Sequence, residues 1–91
     1  MYFTFAATPP VPERDDTYIH LWDVGTQAVL RSGGNLSHHH GVGLNRSRFV
    51  REALGSSFGV FAMMKRTLDP NGILNPGKLG LPSPFGEVAW P

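Results

Sequence analysis

The spacing of apolar positions changes several times along the chain, and each change predicts an element. Met1-Tyr2-Phe3-Thr4-Phe5-Ala6-Ala7 is aromatic and β-prone, with Tyr2, Thr4 and Ala6 on one side and Phe3, Phe5 and Ala7 on the other. It predicts one strand, whose backbone groups need pairing partners from elsewhere. Prolines 9, 10 and 12 make residues 8–14 an extended link, after which Asp15 or Asp16 can cap a helix. Tyr18, Leu21, Trp22, Ala28 and Val29 then fall near one stripe at helical spacing, predicting a helix over 16–31 that stops at Gly33-Gly34. Gly25 weakens that helix or lets another backbone come close. Residues 35–45 read as loop.

Ser47 is placed to cap a short helix carrying Phe49, Val50, Ala53 and Leu54, broken at Gly55-Ser56-Ser57. A further helix starts at Phe58, with Phe58, Phe61, Ala62, Lys65 and Leu68 on one face. Its remaining apolar residues, Val60, Met63 and Met64, predict burial on more than one side. Asp69-Pro70-Asn71-Gly72 ends it, since the residue before proline avoids the helical region and Asn-Gly accepts positive φ. Ile73-Leu74 runs extended into a second turn, Asn75-Pro76-Gly77, and residues 80–91 form an irregular tail with Phe85 and Trp90 as docking anchors. The fold class is α+β and mostly helical, with one N-terminal strand, about three helices and that tail.

Composition narrows the function. Ninety-one residues with 41% hydrophobic and only 16% charged positions give a thin core and a surface short of charge, against about 25% charged in an average soluble domain. A large self-contained enzyme is excluded, and the expectation is a piece of something larger. A net charge of +1 without a basic block argues against nucleic acid as a partner. With no cysteine there is no disulfide framework, thiolate nucleophile or cysteine zinc site. No apolar run reaches the length of a membrane span and no secretory leader is visible, so a cytoplasmic location is the default.

The densest chemistry lies in Gly33-Gly34-Asn35-Leu36-Ser37-His38-His39-His40-Gly41-Val42-Gly43. Three adjacent imidazoles offer proton donors, acceptors and metal ligands in a loop whose glycines let the backbone approach a ligand. The residues alone leave open a solvated polar loop, a metal binder and an acid–base site. Adjacent histidines do not readily point at one atom, and the nearby carboxylates are scattered, so no metal is assigned.

That loop, followed by Leu68-Asp69-Pro70-Asn71-Gly72-Ile73-Leu74-Asn75-Pro76-Gly77-Lys78-Leu79, resembles the carboxyl end of FAD-linked oxidases of the vanillyl-alcohol-oxidase type. The closing motif is shared by the glycolate oxidase and D-lactate dehydrogenase branch. The triple histidine, with Tyr2-Phe3-Thr4-Phe5-Ala6 ahead of it, looks most like the alkylglycerone-phosphate synthase branch, departing from it at Thr4. The resemblance covers 1–79 as the C-terminal part of such an oxidase and leaves 80–91 outside.

It implies that the strand is the last one of a cap-domain sheet. It also implies that Tyr2 is the acid–base tyrosine exchanging a proton at C1 of the acyl substrate, and that His38, His39 and His40 are catalytic histidines walling flavin and substrate. A phenol is a weak acid, so Tyr2 serves as a base only beside a cation or imidazole that stabilises the phenolate. Asn75 and Lys78 are implied cofactor or domain contacts. A basic residue stands at the Arg46 position in the synthase branch as well, where a solvated helix face is the preferred reading and a phosphate contact the other. The implied cofactor is FAD, bound mainly by a domain or chain other than this one, because no glycine-rich dinucleotide fingerprint is present. The implied small-molecule partner is a phosphorylated lipid precursor, in an exchange of acyl chain for fatty alcohol through a flavin N5 adduct, or alternatively a 2-hydroxy acid. Peripheral membrane association and a homo-oligomer are further expectations for the parent enzyme. The chain alone is not expected to be active, and a non-catalytic truncated module or a His-loop metal binder is the reading from another class.

Overall fold

The structure is a computed structural model and describes residues 2–87. A short 3-10 turn over Val11–Glu13 leads into α1 (Arg14–Arg31), followed by α2 (Gly43–Ser47), α3 (Val50–Leu54) and α4 (Ser57–Leu68). Among the described residues none is in a strand. The predicted N-terminal strand is therefore corrected, and the α+β class with it: the described fold is small and partly helical. Alternating aromatics suit a strand, but a strand is completed by hydrogen bonds to a neighbour, and no second strand stands beside residues 2–7. Those residues instead lay their side chains over α1 and the histidine loop.

Helix α1 starts two residues earlier than predicted. Pro12 fits the tight turn before it, and neither aspartate caps; Asp15 and Asp16 sit inside the first turn, where their charge favours the helix dipole. The predicted stop is present as a Schellman motif. Gly33 adopts φ 75°, its N–H donates to Leu30 O at 3.0 Å, and Gly34 N–H donates to Val29 O at 2.8 Å. Tyr18, Leu21, Trp22 and Val29 of the predicted stripe face one cavity, whereas Ala28 is exposed.

The sequence reading missed α2, because its Gly-Leu-Asn-Arg-Ser run reads as loop. Ser47 closes that helix rather than capping the next one, and its Oγ accepts the Gly80 N–H at 2.8 Å. Phe49 occupies the N-cap position of α3 with no side-chain cap.

A small core forms where α3, α4 and the following chain meet. Val50, Phe58 and Leu81 are buried together, with Leu36, Val42, Phe61 and Ala62 packed around them. Burial of Val50, Phe58 and Leu81 contributes about 1.5–3 kcal/mol each. Leu81 thus anchors the segment after the closing turn, whereas the predicted anchor Phe85 is exposed. The other predicted anchor, Trp90, lies outside the described residues.

The second apolar side expected of α4 is open: Val60, Met63, Met64 and Leu68 are exposed, and Leu68, placed on the core face by its spacing, points away from it. The closing turn has an organiser that the sequence reading took only as a helix stop. Asp69 is buried and accepts the backbone N–H groups of Ile73 at 3.1 Å and Leu74 at 3.0 Å, while Lys65 Nζ bridges its carboxylate and Leu74 O.

Helix α1 meets the 45–52 stretch through polar contacts. Arg48 pairs with Asp23 at 2.9 Å, Gln27 donates to Glu52 at 2.6 Å and Asn45 donates to Tyr18 Oη at 2.6 Å. Exposed contacts of this kind contribute at most about 1 kcal/mol each, so α1 is held loosely. The radius of gyration of 15.1 Å is correspondingly large, against about 12 Å for a packed domain of this length.

Candidate functional site

Residues 2–9, one face of α1 and the histidine loop enclose an open cavity of about 1350 Å³. Its floor is the α1 face carrying Tyr18, Leu21, Trp22 and Gly25, residues spaced to fall on one side of a helix. Phe5 lies over Gly25 so closely that a Cβ there would stand 2.8 Å from Phe5 Cζ. The glycine that weakened the predicted helix thus serves a close approach, by a side chain rather than by backbone.

At one end the loop turns tightly. Gly41 adopts φ 75°, its N–H donates to His38 O at 3.2 Å, and Ser37 Oγ donates to Gly41 O. This turn gathers the three imidazoles with ring centroids 4.4 to 4.7 Å apart, all exposed. Their ligand nitrogens lie within 4.8 Å of one another, so adjacency in sequence does not splay them.

Tyr2 completes the cluster from the N-terminal segment. Its ring meets His38 edge-on at 4.5 Å, and its hydroxyl lies 3.3 Å from His39 Nδ1. His38 is held below the ordinary imidazole value by partial desolvation of its ring and then by the neighbouring charges of His40, His39 and Arg46. Arg46 lines the same cavity from α2, with its guanidinium 4.8 Å from the Trp22 ring centroid and Nη1 donating to Gly41 O at 3.4 Å.

The structure therefore brings together four of the six predicted site residues: Tyr2, His38, His39 and His40. Asn75 and Lys78 are exposed and do not line this cavity; Asn75 takes φ 44°, which suits it to the turn. Sequence alone favours a solvated helix face over a phosphate contact at Arg46 and places Trp22 on the apolar stripe of α1. The signal that could have joined them is their spacing from the loop: Trp22 lies about three turns before the Gly33-Gly34 stop, and Arg46 three residues after Gly43.

A phenol, three imidazoles and a guanidinium around one concave surface can exchange protons and hold an anion. The same set fits one wall of a flavin site, since aromatic and imidazole edges suit a planar ring. Nothing among the described residues forms a glycine-rich cradle for its pyrophosphate.

The family model described as FAD linked oxidases, C-terminal domain, matches residues 1–79. An alkyldihydroxyacetonephosphate synthase from Trypanosoma brucei brucei is 36% identical over 93 aligned residues, covering 100% of this chain and 15% of the relative. The synthase of the same name from Dictyostelium discoideum is 36% identical over 80 residues, covering 87% of this chain and 13% of its own. A mitochondrial D-lactate dehydrogenase (cytochrome) from Arabidopsis thaliana is 38% identical over 53 residues, covering 57% of this chain and 9% of its own. The chain thus spans about a seventh of the length of the two synthases. No solved structure matches. With the family matched across most of its length and a relative 36% identical across all of it, the chain belongs to the FAD-linked oxidases, as sequence of their C-terminal domain.

Proposed function

We propose that this chain supplies the acid–base wall of a flavoenzyme of the alkylglycerone-phosphate synthase kind, which exchanges the acyl chain of acylglycerone phosphate for a fatty alcohol. The observation that carries the reading is the Tyr2 hydroxyl 3.3 Å from His39 Nδ1, a pairing of residues 37 positions apart. A tyrosine in that position gains the imidazole it needs to move a proton, and His38 and His40 close the polar wall around it. FAD, when bound, supplies the electron-accepting ring. Its pyrophosphate end is held by an FAD-binding domain or chain other than these residues, and Asn75 and Lys78 serve at that contact.

Tyr2 takes and returns the proton at C1 of the substrate, His39 stabilises the phenolate, and the neutral His38 leaves the wall free of an extra cation. The match to a D-lactate dehydrogenase supports a second reading, in which a histidine takes the hydroxyl proton of a 2-hydroxy acid. Turnover by the whole protein that carries this chain separates the two. Ether product from acylglycerone phosphate and hexadecanol supports the first; reduction of a dye acceptor by D-lactate with no ether product supports the second. No helix among the described residues is long and apolar enough to cross a membrane.

A further inference from the structure

The cavity is electrostatically one-sided. Among the described residues its lining includes Arg14, Arg46 and the three histidines, and no aspartate or glutamate. Such a surface accumulates anions. The three arginines that follow the histidine loop have different engagements. Arg48 is paired with Asp23 at 2.9 Å and donates to Ile19 O at 3.4 Å, and Arg51 lies over the Phe58 ring at 4.7 Å on the core side. Arg46 alone of the three lines the cavity, and among the described residues it has no carboxylate partner.

Its one side-chain hydrogen bond among the described residues, to Gly41 O at 3.4 Å, leaves most of its five N–H groups unused. Its guanidinium is held against the Trp22 ring, which fixes its position while leaving in-plane N–H edges free for a forked acceptor. The arginine is thus half-buried, immobilised and short of acceptors, beside imidazoles that can share a second negative charge.

We infer that Arg46 is the anion contact of this cavity and takes the phosphate of a phosphomonoester substrate, with Trp22 as the platform that holds it in place. This deepens the synthase reading and rests on it only for the identity of the phosphate-bearing molecule.

The test is an equilibrium titration of the FAD-loaded protein that carries this chain with glycerol 3-phosphate, an unreactive phosphomonoester, and in parallel with D-lactate and with glycerol. Arg46→Gln is expected to weaken glycerol 3-phosphate by about 10- to 100-fold, the size of a lost charge-assisted hydrogen bond, and Arg46→Lys by less. Arg48→Gln, with its guanidinium engaged at Asp23, is expected to bind as the parent does, and glycerol is expected to be insensitive to all three. Unchanged affinity in Arg46→Gln, an equal loss in Arg48→Gln, or no binding of the phosphomonoester to the parent protein would overturn the inference. D-lactate binding more tightly than glycerol 3-phosphate would overturn the phosphate assignment. Because binding is read without turnover, loss of the synthase reading in an activity assay and loss of this inference are separate results.

Discussion

The hydroxyl of Tyr2 lies 3.3 Å from Nδ1 of His39, joining the N-terminal segment to a loop 37 residues later. If this pair moves the substrate proton, His39→Ala in the whole enzyme is expected to lower kcat by about 10²-fold or more, the usual contribution of a positioned acid–base group. The fold depends little on this exposed imidazole, so the melting temperature should stay within a few degrees. Steady-state kinetics beside a thermal melt check both statements, and an unchanged kcat would contradict the assignment.

His38 is expected to titrate below the usual value near 6.5, because partial desolvation and the charges of His40, His39 and Arg46 disfavour its cation. The fold therefore penalises protonation. Stability is full above pH 6.5 and falls as the pH drops through the folded value, where the unfolded chain binds the proton more readily. Imidazole proton resonances followed against pH measure this directly. His38→Gln should flatten that limb of the stability curve, and a His38 titration at or above 6.5 would contradict the desolvation and charge repulsion assigned to it.

Asp69 carries the opposite chemistry with the same sign of shift. Its hydrogen bond from Lys65 and those from the Leu74 and Ile73 N–H groups outweigh burial and hold the carboxyl below its ordinary value. The stability it contributes is present above about pH 3.8 and is lost as the pH falls through the folded value. Asp69→Asn should lower stability at neutral pH and remove this part of the acid sensitivity. Denaturant melts at pH 7 and pH 3 for both proteins test it; a parallel pH dependence in the variant is the contrary result.

Phe5 and Gly25 should be coupled. Alanine is favoured over glycine by about 1 kcal/mol within a helix, yet a methyl at Gly25 would stand 2.8 Å from Phe5 Cζ. Gly25→Ala is expected to gain nothing in the parent background and about 1 kcal/mol when Phe5→Ala is already present. A double-mutant cycle reads that coupling, and strict additivity would show that the N-terminal segment does not lie on α1.

What the sequence made legible follows from which interactions are local. Helices α1 and α4 were visible because apolar spacing, the Gly33-Gly34 stop and the Asp69-Pro70 break are written within one or two turns of the residues they control. The strand reading of residues 2–7 went wrong because pairing is decided by a neighbour, and alternation of aromatics says only that a neighbour would be welcome. Helix α2 was missed because glycine, asparagine and serine are weak helix formers whose conformation here is set by context. Asp69 was read as the residue before proline where the helix ends, not for the N–H groups it collects four and five residues on. The histidines stood out by their own chemistry, and their catalytic role and that of Tyr2 came through motif resemblance; their meeting in space, and the presence of Trp22 and Arg46 beside them, needed the fold.

The claim that Tyr2 is the proton-transfer group is tested most directly by exchange of the C1 hydrogen of acylglycerone phosphate in deuterated water. The whole enzyme is compared with Tyr2→Phe at matched flavin content. Exchange that falls by about 10²-fold or more in the variant, with the flavin spectrum and fold unchanged, is the predicted result. Exchange and turnover at the parent rate in Tyr2→Phe would contradict the account and leave Tyr2 as a ring that packs against His38.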